Sequence, residues 1–301
     1  MILLENGHRI LTESLTNKLS SLTPDPLFLV LADFDGVTYK LVYAEGQMTL
    51  SMSMKCFSQA KTFGAMEVLK REYGNLLKPD PETGYDVTLT WDPSVVIATS
   101  ELISNLSILK KNALSAPFEV AFDAHKDGNV TPIMKLSYRD DESMYIQGLP
   151  DRVTVIFSTV FKDESDSILG KVFLQEFVDA RRLPNIQNAP QVLYSPKEPP
   201  LELKSIGVEE GENLSWVTFV LFPRHYSSNT RGETISRILL FRDYLHYHMK
   251  ASKSYLHSRM RARVDSFLKV LNRAKPEPVG EKKTSRYFYL ILIFSGKTFK
   301  R

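Results

Sequence analysis

The sequence is poor in several features that would point to particular protein classes. Cys56 is the only cysteine in 301 residues, which excludes an internal disulfide framework and fits a reducing compartment. The nearest approach to a membrane span is Tyr287–Phe294, eight apolar residues against the roughly 18 that a spanning helix needs. The apolar run at Met1–Leu4 is too short for a signal peptide. We therefore expect a cytoplasmic chain that does not insert into a membrane.

Motifs of catalysis and cofactor binding are also missing. The sequence has no glycine-rich phosphate loop, no serine nucleophile elbow and no zinc knuckle. We expect no catalytic residues, no metal site and no cofactor.

Proline and glycine are absent from Glu233 to Ala274, and 42 such residues predict a helix of about 63 Å. Residues 250–301 hold 14 basic and 3 acidic side chains, a net charge of +11. Because the whole chain is +3, residues 1–249 carry −8. An acidic body that ends in a long basic helix predicts docking on an acidic partner.

The predicted helix has two apolar stripes. At 100° per residue, one arc of about 100° holds the larger stripe. Its members are Leu245, Met249, Leu256, Met260, Val264, Phe267 and Leu271. Since one stripe suffices to pack on the chain's own sheet, the two together predict a second partner, another subunit.

The smaller stripe is aromatic and is centred about 120° from the larger one. It consists of Phe241, Tyr244, His248 and Tyr255. Lys253 and Arg263 fall inside the larger stripe or at its edge, a costly placement in a core. This end of the helix is therefore expected to leave the core.

Strand and helix patterns along the chain predict an α+β fold, with two similar α/β domains of antiparallel sheets flanked by helices. A Pro-rich connection is expected over residues 184–200, before a strand over 214–222. The predicted parts are a first domain (1–120), a second domain (121–232), the long helix (233–275) and a tail (276–301).

One motif resembles the first motif of haloacid-dehalogenase phosphatases. It is a hydrophobic strand that ends in Asp33-Phe-Asp35-Gly-Val, and Asp140 and Asp141 could then hold magnesium. That active site needs a parallel sheet and a loop that leads towards a helix. Here another strand pattern follows, and an Asp-Gly pair between two strands is typical of a hairpin. A metal-dependent phosphohydrolase using Asp33 and Asp35 is the alternative, and we favour the hairpin.

The helix also carries His246, His248 and His257. Metal ligands on one helix need a spacing of three or four residues. The first two diverge by about 200°, and His257 lies about 16 Å further along the axis. We interpret these histidines as packing or subunit-contact residues.

The basic helix also invites comparison with nucleic-acid binders. Its basic residues alternate with aromatic ones, as in proteins that bind phosphates and stacked bases. No nucleic-acid-binding motif accompanies them, so we expect no nucleic acid partner.

Several long strings resemble one family, subunit 2 of the actin-related protein 2/3 complex, a subunit of about 34 kDa. The similarity runs in order from Met1 to about Pro276. The strings include Ala32–Val37, Leu109–Asn112, Tyr138–Tyr145, Asp151–Asp163, Gly170–Phe177, Ala189–Val192, Glu198–Lys204, Thr218–His225, Phe241–His248 and Arg259–Arg263.

The resemblance implies a non-catalytic scaffold with two α/β domains and a long C-terminal helix. Such helices pair this subunit with subunit 4 in the core of a seven-subunit assembly. The assembly, which includes two actin-related proteins, binds the side of a mother actin filament and nucleates a branch. In that assembly, the actin-related proteins and not this subunit bind ATP. The implied location is the cytoplasm, in the actin cytoskeleton.

Because actin filaments are acidic polyelectrolytes, a basic docking face has a physical rationale. We predict five residues that contact the filament from their angles on the helix: Lys250, Arg259, Arg261, Lys269 and Arg273. For Arg259 and Arg273 the angle also suits the partner face. The predicted partner-subunit interface consists of Phe241, Tyr244, His248, Tyr255, Lys253 and Arg263.

The tail departs from the family pattern, which is polar there. Tyr287–Phe294 is apolar and precedes the familiar Gly296-Lys-Thr-Phe299. Either an unspliced intron in the gene model or a lineage-specific segment buried against a partner would explain this apolar run.

Overall fold

The computed structural model describes residues 4–21, 25–96, 99–180, 183–184, 187–208, 211 and 214–275. The apolar tail segment at 287–294 lies outside them. The chain up to Lys250 forms one compact unit, and the part from Ala251 on forms a second. The fold is α+β, with two antiparallel sheets and a long C-terminal helix.

The first sheet is a meander of four antiparallel strands in sequential order. Its strands are β1 (Leu27–Ala32), β2 (Thr38–Ala44), β3 (Gln47–Ser53) and β4 (Val87–Trp91). Alternation along β2 and β3 places Tyr39, Leu41, Met48 and Leu50 on a fully buried face, as expected when one face of a sheet covers a core.

In the described residues of this half, five α-helices accompany the sheet. They are α1 (Arg9–Ser21), α2 (Phe57–Thr62), α3 (Ala65–Tyr73), α4 (Ser100–Ser107) and α5 (Leu109–Lys126). Helix α4 begins where the Thr99 side chain accepts a hydrogen bond from the backbone N–H of Leu102, at 3.1 Å.

The second sheet has five antiparallel strands in the order β5-β6-β7-β9-β8. They are β5 (Met134–Leu136), β6 (Met144–Gly148), β7 (Val153–Val160), β8 (Gln191–Pro196) and β9 (Leu214–Leu221), with α6 (Glu164–Ala180) and α7 (Leu201–Lys204) between them. Apart from β8, both sheets share one element order, three antiparallel strands, a helical segment and a further strand. This agrees with the prediction of two similar halves.

Strand β8 lies within residues 184–200, for which only a Pro-rich connection was predicted, and so corrects that prediction. It pairs with β9 along one side and forms the edge of the sheet, with Pro196 as its last residue. An edge strand tolerates proline because one side of its backbone has no strand to bond.

Helix α5 packs between the two sheets' elements, against α2 and α3 on one side and against β6 and β7 on the other. Ten of its residues are buried. The predicted domain boundary at residue 120 therefore falls inside a continuous helix that both halves share, and the division into domains stays a prediction.

The last helix, α8, runs over Arg231–Ala274. It begins two residues before the predicted start, and its buried residues end at Met249. In the described part of the chain, no helix combines the length and apolar character that crossing a membrane requires.

Candidate interaction surface

The Asp-Phe-Asp-Gly motif forms the tip of the β1–β2 hairpin. The Asp33 carboxylate accepts a hydrogen bond from the backbone N–H of Phe34, at 2.7 Å. Asp35 and Gly36 both adopt left-handed backbone conformations, with φ of 66° and 70°. Asp and Gly tolerate this region better than most residues, which is why this pair can form the turn. The antiparallel register confirms the predicted hairpin.

Both carboxylates of the motif face basic side chains. Asp35 accepts a hydrogen bond from Arg139 Nε at 2.7 Å and another from Lys110 Nζ at 3.2 Å. Lys110 also lies 3.8 Å from Asp33. The hairpin tip is thereby tied to helix α5 and to the β5–β6 turn. This antiparallel, ion-paired arrangement differs from the parallel sheet that the phosphatase alternative requires.

Asp140 and Asp141, the magnesium ligands of that alternative, lie in the turn between β5 and β6, which pair as a second antiparallel hairpin. Asp140 pairs with Lys55, and Asp141 lies 3.3 Å from Lys162. Within the described ranges, His, Cys, Asp and Glu side chains form no group of three or more that could hold a metal ion.

Behind this turn lies a buried ion network that the sequence analysis missed. Glu142, whose side chain is only 4% exposed, accepts a hydrogen bond from Arg242 Nε at 2.7 Å and one from the Val160 N–H at 3.2 Å. Arg139 Nε lies 3.6 Å from the same carboxylate. The network joins Asp35, Arg139, Glu142 and Arg242, so it connects the first hairpin, the second hairpin and α8. These four residues are among those that line a cleft of about 830 Å³.

This environment shifts the pKa values of two titratable groups on α8. Burial raises the pKa of Asp243 to about 6, with the Asp35 charge acting in the same direction. Burial lowers the pKa of His246 to about 4, and the charges of Arg242, Arg139 and Lys250 add to the effect. His246 lies 3.9 Å from Glu142, but a neutral imidazole forms no salt bridge there.

The His246 shift predicts a pH dependence of stability. A folded pKa below the unfolded value means that the unfolded chain binds the proton more readily, so this contribution is complete above about pH 6.5 and is lost as the pH falls towards 4. Between pH 7 and pH 4.5, we expect the free energy of unfolding of His246→Gln to fall by about 2–3 kcal/mol less than that of the wild type. Urea unfolding at the two pH values measures this. His257→Gln, an exposed histidine of α8, is the control and should follow the wild type; equal losses in all three chains would contradict the prediction.

The predicted partner-facing aromatic stripe is partly internal, which requires a correction. Phe241 belongs to the chain's own core, with ring centroids 4.7 Å from Phe219 and 5.5 Å from Phe157. It is therefore not available to a partner. The aromatic stripe is therefore divided along the helix axis: Phe241 is buried in the first unit, whereas Tyr255, beyond residue 250, is exposed.

Tyr244 and His248 lie at the surface of the first unit. The Tyr244 hydroxyl donates to the carbonyl of Leu4 at 2.9 Å and accepts from its N–H at 2.8 Å, and its ring stacks on His248. Tyr244 thus holds the N-terminal segment. The assignment of Tyr244 and His248 to a partner interface stays a prediction.

The larger stripe is divided in the same way. Leu245 and Met249 are buried, whereas the members beyond residue 250 are between 43% and 65% exposed. This confirms that the far end of the helix leaves the core. We call these exposed members the distal apolar stripe: Leu256, Met260, Val264, Phe267 and Leu271.

The predicted filament-contacting residues differ in their surroundings. Lys250, at the end of the first unit, forms an ion pair with Asp166 at 2.7 Å and remains 59% exposed. The others are exposed on the second unit, where the Arg259 guanidinium lies 5.8 Å from the centre of the Tyr255 ring. We call Arg259, Lys269 and Arg273 the basic face, since they lie within one arc of about 80°. Arg261 lies outside it, and Arg263 borders the distal apolar stripe.

Comparison with known proteins identifies the family that this chain resembles over most of its length. The family described as Arp2/3 complex, 34 kD subunit p34-Arc, matches residues 50–278. Actin-related protein 2/3 complex subunit 2 of Schizosaccharomyces pombe is 44% identical over 310 aligned positions, which cover 95% of this chain and 98% of that protein. The protein of the same name from Dictyostelium discoideum is 40% identical over the full length of both chains. The chain therefore belongs to the family of the 34 kD subunit, subunit 2, of the Arp2/3 complex.

Proposed function

We propose that this chain is a non-catalytic scaffold subunit of the Arp2/3 complex that binds the mother actin filament through the distal part of α8. In this proposal the distal apolar stripe docks on subunit 4, and the basic residues around it meet the filament. The observation that carries the proposal is a helix segment, Ala251–Ala274, that exposes an apolar stripe and a basic face together.

The apolar stripe supports a helical partner. Its members are spaced by four, four, three and four residues, and three-and-four spacing is the pattern by which one helix packs along another. Large exposed apolar side chains in such a row mark interaction sites in soluble proteins.

Lys253 and Arg263 indicate which side chains the partner helix should present. They lie within or beside the stripe, so a docked helix would bring its own side chains close to both. Acidic residues at the matching positions of subunit 4 would compensate their charges.

The basic face supports contact with an acidic filament. Residues 251–275 contain seven Lys or Arg and one acidic residue, Asp265. Oriented charges of this kind steer association with an acidic polymer more than they hold the bound state. The face is centred about 140° from the distal apolar stripe, so both partners can be bound at once.

A scaffold role also suits the body of the chain. Asp35 of the phosphatase alternative binds Arg139 of the second hairpin, and Glu142 of that hairpin binds Arg242 of α8, so these ion pairs hold the body together. With its complex, the chain would reside in the cytoplasm, in the actin cytoskeleton, next to both actin-related proteins.

Charge reversal on the basic face tests the proposal. We expect the complex that contains Arg259→Glu with Arg273→Glu to bind filaments about tenfold more weakly, since two charges change sign at a surface where each pair contributes up to about 1 kcal/mol. Co-sedimentation of the assembled complex with pre-formed filaments measures the change.

The matched control reverses two exposed basic residues elsewhere, Arg237 on the first unit's part of α8 and Lys171 on α6. It should leave filament binding within twofold. The native mass of both complexes reports assembly. Equal filament affinity for the two double variants would refute the basic face as the contact, and loss of assembly would place Arg259 or Arg273 on the partner side.

A further inference from the structure

One short sequence on the second unit contains a serine that follows two arginines. It reads Arg261-Ala-Arg263-Val-Asp-Ser266-Phe267. Arginines five and three residues before a serine, with an apolar residue after it, are the pattern selected by protein kinases whose substrate clefts are acidic. Ser258 and its surroundings lack this pattern, because Lys253 and Tyr255 occupy the corresponding positions.

Ser266 is accessible on the helix. It is exposed, and its hydroxyl donates to the carbonyl of Ala262 at 2.9 Å. Kinases bind extended substrates, so the helix must open around the serine. The helix ends at Ala274, within about two and a half turns of Ser266, and its neighbours on both sides are exposed. An exposed single helix near its end opens at low free energy.

Ser266 also occupies the centre of the basic face. On the helix it lies within about 20° of Arg259 and of Arg273, and Lys269 follows it by one turn. A phosphate here would add about −1.5 to −2 charges amid these cations and offer oxygens that bind them. Residues 251–275 would fall from a net charge of +6 to about +4.

We propose that Ser266 is a phosphorylation site for an arginine-directed protein kinase and that its phosphate switches off the basic face. The switch rests on the proposed function, whereas the modification site does not. The Ser266 hydroxyl oxygen attacks the γ-phosphorus of ATP, the bond from that phosphorus to the β-bridging oxygen breaks to release ADP, and the hydroxyl proton passes to the base of the kinase. Because Arg263 borders the distal apolar stripe and Phe267 belongs to it, a docked helix would cover part of the motif, so the kinase acts on the chain before assembly. Ser266 itself points about 120° away from the centre of that stripe, so its phosphate leaves the docking seam free.

The test treats the full chain, before it is assembled into the complex, with a purified kinase of Arg-x-Arg-x-x-Ser specificity, such as protein kinase B, and Mg–ATP. Phosphopeptide mapping should find phosphate on Ser266. Ser266→Ala should abolish it, and Ser258→Ala, which removes a hydroxyl with the same type of bond to the preceding turn (3.0 Å to the Ser254 carbonyl), should not. Absence of phosphate from Ser266 of the treated chain overturns the site.

Filament co-sedimentation tests the switch. We expect the complex assembled from the phosphorylated chain to bind about three- to tenfold more weakly in low salt than the complex assembled from the mock-treated chain, with the difference shrinking as salt screens the charges. A complex assembled from the Ser266→Ala chain should bind filaments equally well whether or not that chain was treated with the kinase. Unchanged binding after stoichiometric phosphorylation overturns the switch if Arg259→Glu with Arg273→Glu still weakens binding. If neither change weakens binding, the proposed function fails together with the switch, and mapped phosphate on Ser266 still supports the site.

Discussion

A chain with Met260→Asp and Phe267→Asp is expected to purify without the other subunits of the complex. Both residues lie in the middle of the distal apolar stripe and are exposed, by 65% and 63%, in the isolated chain. Docking of a partner helix would bury each new carboxylate in an apolar seam at a cost of about 2–3 kcal/mol or more, and two such losses weaken binding by over a hundredfold. The native mass of the co-purified material should fall towards the 34.3 kDa of the single chain.

The control carries the same added charge on the opposite side of the helix, through Ala251→Asp with Ser258→Asp. These positions lie about 160–180° from the centre of the distal apolar stripe, so assembly should be retained. All four positions are exposed, so neither double variant should change the thermal unfolding of the body by more than the small amounts typical of surface substitutions. A full assembly built on the Met260 and Phe267 variant would show that this stripe is not the docking seam.

The long helix illustrates how far sequence reasoning carries. The absence of Pro and Gly predicted its extent, and Lys253 and Arg263 in an apolar stripe predicted that its far end leaves the core. The assignment of Phe241 to a partner failed, because an angle on a helix is local information. Whether a stripe is covered depends on where the body ends, and that is decided by residues far away in the sequence.

The sheets show the same division between local and distant causes. The Asp-Gly turn specified the β1–β2 hairpin, since the required backbone conformations belong to the two residues themselves. Strand β8 escaped prediction because prolines bound it and its pairing partner, β9, begins 18 residues after it ends. The ion network could not be foreseen either, as Glu142 and Arg242 are 100 positions apart.

That network leads to the prediction with the second largest effect. Removal of the Glu142 carboxylate by Glu142→Ala is expected to lower the free energy of unfolding by about 3–5 kcal/mol, since it deprives a buried guanidinium of the carboxylate to which it donates its hydrogen bond. The Arg242 side chain is only 13% exposed, and water cannot replace the lost partner well. The Val160 N–H loses its acceptor at the same time. Guanidinium chloride unfolding at pH 7 measures the difference.

Asp141→Ala provides a control one residue away. Asp141 is 53% exposed and lies 3.3 Å from Lys162, itself 80% exposed, so its loss should change stability by no more than about 0.5–1 kcal/mol. Glu142→Gln separates the causes, because it keeps an acceptor for the Val160 N–H but removes the charge. If charge compensation dominates, the glutamine variant loses most of what the alanine variant loses. A glutamine variant as stable as the wild type would instead assign the effect to the hydrogen bonds, and Arg242 would then be held by Asp243, 3.7 Å away, rather than by Glu142.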